Sequence, residues 1–217
     1  LAMFWPFEVS FWMGQPAVRK QRRLRSWRHP DLDDRLGRRR MLAEARLMVR
    51  LYKSGLNIPV LYDCDIKEQQ LVMSNIPGRP LIELLNDDSI DDVTMMKHLQ
   101  SAGYSIRMLH RQAIVHGDLS TNNIMITPSG EAVLIDFGLA KIEFETELYG
   151  IDLHVLFEIL GASHPHRENA MEAVLQGYKQ CEQDLGTAEK TPGGDPVCLE
   201  DVIERFDLIR TRVRYHG

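Results

Sequence analysis

The sequence predicts an α+β fold in two lobes, a small strand-rich N-terminal lobe and a minimal helical C-terminal one. Three observations point there. Short apolar runs bounded by turn residues crowd the first 76 positions. Longer runs with helical apolar spacing fill most of 91–214. Between them, "NIPGRP" carries Pro77, Gly78 and Pro80, residues that interrupt regular elements. The expected division is 1–76 and 77–217. With 217 residues, 44% of them hydrophobic, the chain has material for a core.

The elements follow in order. "VSFWM", a turn at Gly14-Gln15-Pro16 and "AVRK" read as a hairpin over 9–20. After a basic stretch and a loop at Pro30, the spacing predicts a helix over 31–55. It starts at Asp31 or Asp33 and ends before Gly55, with Leu36, Arg40, Ala43, Leu47 and Arg50 forming a mixed face. "PVLYDCD" and "QQLVMS" read as a second hairpin. A strong helix is expected over 91–112, its face made by Val93, Met96, Leu99, Gly103, Ile106 and Leu109 or His110. "NNIMIT" and "AVLIDF" read as short strands around Pro128-Ser129-Gly130. Three more helices are expected over 150–161, 167–184 and 198–214, the last two separated by "TPGGDP".

Composition excludes several classes. Cys64, Cys181 and Cys198 are odd in number and far apart, which argues against a disulfide framework or a zinc cluster and fits a reducing compartment. No run of 18 apolar residues exists, so no membrane partner is expected. The opening "LAMFWPFEVSFWM" is broken by Pro6 and Glu8 and lacks a basic flank, unlike a signal peptide. It begins without Met, so the expectation is that the true N-terminus is missing. Charge is uneven: residues 19–46 hold eleven basic and four acidic residues, net +7, while the remainder carries 15 basic and 27 acidic, net −12. Such a split is either a solvated helix face or an electropositive binding surface.

The stretch "HGDLSTNNIMITPSGEAVLIDFGLA", 116–140, carries the chemistry. Asp118 and Asn123 precede one short strand and Asp136 follows the next, so a hairpin would gather three oxygen groups. Magnesium takes such hard ligands and keeps water and phosphate oxygens in its shell. A carboxylate that holds no metal can orient a hydroxyl or water for phosphoryl transfer. The spacing H-x-D-x-x-x-x-N followed by D-F-G is a protein-kinase signature, matched by His116, Asp118, Asn123, Asp136, Phe137 and Gly138. A protein-kinase-like fold then calls for a strand lysine, supplied by Lys20, and a helix glutamate, supplied by Glu44, which together hold ATP phosphates. Met73, Ser74 and Ile76 stand where the backbone would hold adenine.

Some expected parts are missing. Thirteen residues separate Gly138 from Asp152, too few for an activation segment ending in A-P-E. Gly117 and Ser120 replace the usual Arg and Lys. No glycine-rich phosphate loop is visible in "AMFWPFEVS", so that loop is either truncated or absent.

The segments "RHPDLDDRLGRRRMLAEAR", "HGDLSTNN", "LIDFGLA" and "GIDLHVL…SHP" resemble the small atypical Ser/Thr kinase of the KEOPS complex, the PRPK family, over roughly 14–165. The resemblance implies a two-lobed kinase-like fold, ATP and Mg2+. It implies partners: a tRNA threonylcarbamoyltransferase, a small kinase-binding subunit and a dimerising subunit. It also implies tRNA engaged through that complex, and work in cytoplasm and nucleus. The implied activity is ATP hydrolysis supporting threonylcarbamoyladenosine formation, with Ser/Thr protein phosphorylation also assigned to the family. The implied roles are Lys20 and Glu44 for phosphate positioning, Asp118 as base or water-orienter, Asn123 and Asp136 for magnesium, and His116 and Asp152 as supports of the catalytic loop. Arg210, Arg212 and Arg214 partly match a basic tail that contacts tRNA. Competing readings are a RIO-like or small-molecule kinase, against which the intact D-F-G-L-A and the R-H-P-x-L-D segment argue, and a non-catalytic kinase-like scaffold.

Overall fold

The computed structural model describes residues 7–21, 27, 29–191 and 194–213, the side chains of Phe7 and Val213 left aside. The chain divides into two compact units, Leu1–Ile76 and Pro77–Gly217.

The first unit is an antiparallel sheet with one long helix. Strands β1 (Phe7–Trp12), β2 (Gln15–Gln21), β3 (Leu61–Asp65) and β4 (Gln70–Ser74) take the order β1-β2-β4-β3. The first turn is Met13-Gly14, both at positive φ (47° and 81°), the geometry that matches the twist of a two-residue hairpin. The expected turn at Gly14-Gln15-Pro16 is therefore shifted. Pro16 lies inside β2, opposite Phe11, and is tolerated there near the strand start. The central strand β4 buries Leu71, Val72 and Met73 in succession. The register of β3 on β4 shifts between Leu61 and Asp63.

Helix α1 (Pro30–Lys53) begins on a proline with Asp31 and Asp33 in its first turn and ends with Arg50 and Lys53 in its last. Proline fits the first turn because its missing N–H has no helical partner there, and the charges complement the helix dipole. Its buried face is Gly37, Met41, Glu44, Ala45, Leu47, Met48 and Leu51. Of the stripe expected from sequence, Arg40 and Ala43 are exposed. The packed face follows methionines and glutamate that flank that stripe.

The second unit starts with β5 (Arg79–Pro80), inside the segment read as loop, and α2 (Leu81–Leu85), in a stretch for which no element was expected. Pro80 thus stands in a two-residue strand opposite Met125. Helix α3 (Asp92–His110) is capped by Asp91, whose carboxylate accepts the Thr94 N–H at 2.9 Å. Its buried stripe is Met95, Leu99, Ala102, Ile106 and Leu109. Val93, expected on that face, is 67% exposed. Strands β6 (Ile114–Val115), β7 (Ile124–Ile126), β8 (Ala132–Leu134) and β9 (Lys141–Ile142) form two small sheets, β5-β7-β8 and β6-β9.

Helices α4 (Thr146–Ser163), α5 (Ala170–Leu185) and α6 (Leu199–Val213) complete the unit. Helices α3 and α5 cross at two glycines. A Cβ on Gly103 would run into the Val174 carbonyl, and one on Gly177 into the Gln100 carbonyl. That crossing lets Tyr178 and Cys181 of α5 bury fully against α3. Among the described residues no helix is long and apolar enough to cross a membrane.

Candidate active site

In the first unit, the β2 side chain of Lys20 is 1% exposed and its Nζ lies 2.5 Å from Oε1 of Glu44, itself 4% exposed. A buried ammonium is costly without a countercharge. Helix α1 supplies one because Glu44 sits on the same buried face as Met41 and Met48. The remaining residues singled out in this unit lie at its end. Met73 buries its side chain in β4, paired with Val18 and Leu61. The N–H of Ser74 donates to the Val60 carbonyl at 2.8 Å, and its hydroxyl accepts from the Val60 N–H at 2.9 Å. Ile76 is half-buried just beyond β4.

In the second unit, the loop between β6 and β7 carries His116, Asp118 and Asn123. Leu119 and Thr121 anchor it, both fully buried, while Asp118 and Asn123 stay half-buried and reachable. The Asn123 amide donates from Nδ2 to the Asp118 carbonyl at 2.8 Å and to its Oδ2 at 3.2 Å. With Nδ2 engaged, the amide oxygen is the atom of Asn123 that could meet a cation. The Ile135 N–H donates to the Asn123 carbonyl at 3.0 Å, which sets Asp136 one residue further along beside this loop. Asp136 adopts φ of 61°, uncommon for a residue with a side chain. Its Oδ1 accepts the Gly138 N–H at 3.3 Å. Phe137 is buried, its ring 5.5 Å from that of His116, whose Nε2 lies 3.1 Å from the Ile135 carbonyl.

Asp152, buried on α4, accepts the N–H of His116 on Oδ2 at 2.5 Å and that of Gly117 on Oδ1 at 2.9 Å. Gly117 itself has φ of +77°, and a Cβ there would sit 2.6 Å from the Leu139 carbonyl. Where conventional protein kinases carry Arg, this chain has a close approach that only glycine permits.

Sequence reasoning did not find what lies behind Asp152. His110, fully buried at the end of α3, places Nε2 3.4 Å from Asp152 Oδ2 and Nδ1 2.8 Å from the Tyr178 hydroxyl. Arg107 Nη1 reaches that hydroxyl at 3.4 Å and the Val197 carbonyl at 3.2 Å, while its Nε donates to Glu182 at 2.8 Å. Burial holds the His110 imidazole below its ordinary range. Burial would push the Asp152 carboxyl up, but its bonds from His110 and from the loop N–H groups hold it below the usual range. The neutral His110 donates its Nε2–H to the ionised Asp152, so Nδ1 accepts from the Tyr178 hydroxyl. The relay from Arg107 Nη1 to the Tyr178 hydroxyl, from that hydroxyl to His110 and from His110 to Asp152 then runs in one direction.

The oxygens of Asn123 and Asp136 suit a hard cation that keeps water and phosphate ligands, while the Asp118 carboxylate accepts from the Asn123 amide at 3.2 Å. Among the described residues no group of three or more His, Cys, Asp or Glu forms a metal cage by itself. The tail arginines are not gathered here. Arg210 pairs with Asp207 at 3.0 Å and packs over Phe206, Arg212 is exposed at the end of α6, and Arg214 lies outside the described residues.

Comparison with known proteins adds the lineage. A family model of the RIO domain matches residues 10–144. The chain belongs to the RIO-domain family. Its relatives include the EKC/KEOPS complex subunit Tp53rkb of Mus musculus, 36% identical over 208 residues, which are 93% of this chain and 80% of that protein. The KEOPS complex subunit Bud32 of Pyrococcus abyssi is 37% identical, covering 79% of this chain and 77% of its own. A probable bifunctional tRNA threonylcarbamoyladenosine biosynthesis protein of Methanosarcina mazei is 34% identical over 93% of this chain, which spans 32% of that longer protein. The resemblance to the atypical kinase of KEOPS thus holds. The opposition drawn from sequence between that reading and a RIO-like kinase does not, because one RIO-domain chain satisfies both. Its small antiparallel sheet followed by a helical unit is the kinase-like arrangement of that family.

Proposed function

We propose that this RIO-domain chain is the ATP-using subunit of a KEOPS-type complex and supports threonylcarbamoyladenosine modification of tRNA. Its partners would be a tRNA threonylcarbamoyltransferase and a small kinase-binding subunit, in cytoplasm and nucleus. The observation that carries the reading is the half-buried pair Asp118–Asn123, joined at 2.8 and 3.2 Å on a loop whose backbone Asp152 holds at two N–H groups. A fold that served only as scaffold has no need of reachable carboxylates on so fixed a loop.

In this reading Lys20, held by Glu44, engages the ATP phosphates. Asn123 and Asp136 would hold Mg2+, which would supply charge neutralisation to the phosphoryl group. Asp118 takes no metal and orients the attacking water through its carboxylate. The N–H and hydroxyl of Ser74 are engaged with Val60, so adenine would be met by other backbone groups of the Met73–Ile76 stretch.

Hydrolysis is favoured over Ser/Thr protein phosphorylation because the segment after Gly138 is short and is tied into β9 against β6, leaving no extended platform for a peptide. The test is magnesium-dependent ATP hydrolysis by the purified chain, alone and with the tRNA-modifying partner. Turnover that rises with the partner and disappears in Asp118→Ala and Asp136→Ala is expected. Equal turnover in Asp136→Ala removes the metal assignment, and absence of nucleotide binding in both settings returns the protein to a scaffold.

A further inference from the structure

Helix α1 carries cations that its own fold does not use. Arg35, Arg39, Arg46 and Lys53 are all exposed. At 100° per residue they lie within about 40° of one another around the helix, and they extend over about 27 Å of its length. Among the described residues none of the four makes an ion pair. Arg38 on a neighbouring line of the same helix does, with Asp34 at 2.8 Å. The difference is written in the sequence. Arg39, Arg46 and Lys53 have no Asp or Glu three or four positions away on either side, and Arg35 has only Asp31.

Helical surfaces that merely face water tend to interleave opposite charges at this spacing, and like charges at i,i+4, such as Arg35 and Arg39, cost some helix stability. Here a row of positive charge is left uncompensated on a chain whose residues outside 19–46 carry net −12. A polyanion would be repelled by most of the surface and attracted to this line. Three of the four cations are arginines, whose planar fork bonds phosphate oxygens in pairs.

We propose that the Arg35–Arg39–Arg46–Lys53 face of α1 is a phosphate-backbone contact surface for RNA, and that tRNA is the RNA it meets. The choice of tRNA rests on the function proposed above; the surface itself does not. Contacts of this kind, between exposed cations and phosphate, position the backbone and carry little sequence preference. Its contribution falls with ionic strength as released counterions are replaced.

The experiment measures binding of an unmodified tRNA transcript to the full chain over a range of salt, with ATP hydrolysis measured in parallel. The wild type is compared with the triple variant Arg35→Glu, Arg39→Glu, Arg46→Glu. A second triple variant, to Gln at the same positions, serves if charge reversal disturbs folding. Each lost phosphate contact should lower the slope of log affinity against log salt by roughly 0.7–0.9, so the triple variants should lose about 2 or more from the slope and at least tenfold in affinity near 50 mM salt. Basal hydrolysis should be unchanged, since none of these residues touches the Lys20–Glu44 pair. Unchanged affinity and slope in folded variants overturns the proposal. So does a loss confined to binding of an acidic partner protein, which would make the stripe a protein interface. Loss of hydrolysis in Asp118→Ala with tRNA binding intact would leave the surface standing whatever becomes of the enzymatic reading.

Discussion

The hydroxyl of Tyr178 on α5 lies 2.8 Å from Nδ1 of His110 on α3, and the other nitrogen of that ring faces Asp152. Through Asp152 the bond reaches the two N–H groups that precede Asp118. Tyr178→Phe keeps the ring and removes the donor. It leaves a buried imidazole nitrogen without this partner, which costs about 1–3 kcal/mol. Chemical denaturation should show that loss. ATP turnover should fall with KM for ATP little changed, because the loop that carries Asp118 loosens while Lys20 and Glu44 are untouched. A parallel rise in KM would place the effect elsewhere.

Protonation supplies a second expectation. Burial is the first cause that holds His110, His98 and His164 below the ordinary imidazole value of 6.5. A base whose folded pKa is depressed takes its proton first in the unfolded chain, so stability is full above about pH 6.5 and declines as pH falls below it. The urea midpoint should therefore drop between pH 7.5 and 5.5. His110→Asn should start lower but fall less over that interval, with His98 and His164 supplying the remaining slope. An unchanged slope would mean His110 is charged in the folded state.

Gly117 offers a steric test. A methyl group there meets the Leu139 carbonyl at 2.6 Å in a backbone conformation of φ +77°. Gly117→Ala should displace the loop, with strain of about 1–3 kcal/mol and a large loss of turnover. Retained turnover would show that the loop can move without consequence.

The buried pair of the first unit separates stability from chemistry. Lys20→Ala removes a countercharge beside a carboxylate only 4% exposed, a change of up to about 3–5 kcal/mol when one partner of a buried pair is deleted. Lys20→Met with Glu44→Leu should recover much of that stability and none of the ATP turnover. Recovery of turnover in the double variant would exclude Lys20 from phosphate binding.

Much of this was legible in the sequence, and unevenly. The spacing from His116 to Gly138 marked the oxygen cluster because short-range spacing on a hairpin dictates which side chains meet. Lys20 and Glu44 could be matched because one lies on a strand and the other on the following helix. The α3 face was read correctly from Leu99 to His110 and missed only in the first turn, where Met95 is buried and Val93 and Met96 are not, a choice that packing makes and periodicity does not. Strands β5, β6 and β9 were missed because two-residue strands carry no period. His110 looked like a side chain on an apolar face, and no sequence signal connects it to Tyr178, 68 positions later. Their meeting depends on the Gly103–Gly177 crossing. The Gly117 substitution was visible, but its cause, the Leu139 carbonyl, was not.

The short segment after Gly138 has one more consequence. It pairs back at once, Ile142 opposite Ile114 and Lys141 opposite Val115. The Glu143 N–H then donates to the Ala113 carbonyl at 2.9 Å, and the Tyr149 hydroxyl to the Glu143 carbonyl at 2.6 Å. To swing this stretch aside would mean surrendering all of those bonds together, with no spare length to re-form them. A protein built this way has no idle position of its own at that loop. Under the function proposed above, its tempo would be set from outside the chain, by when ATP, RNA or another subunit arrives.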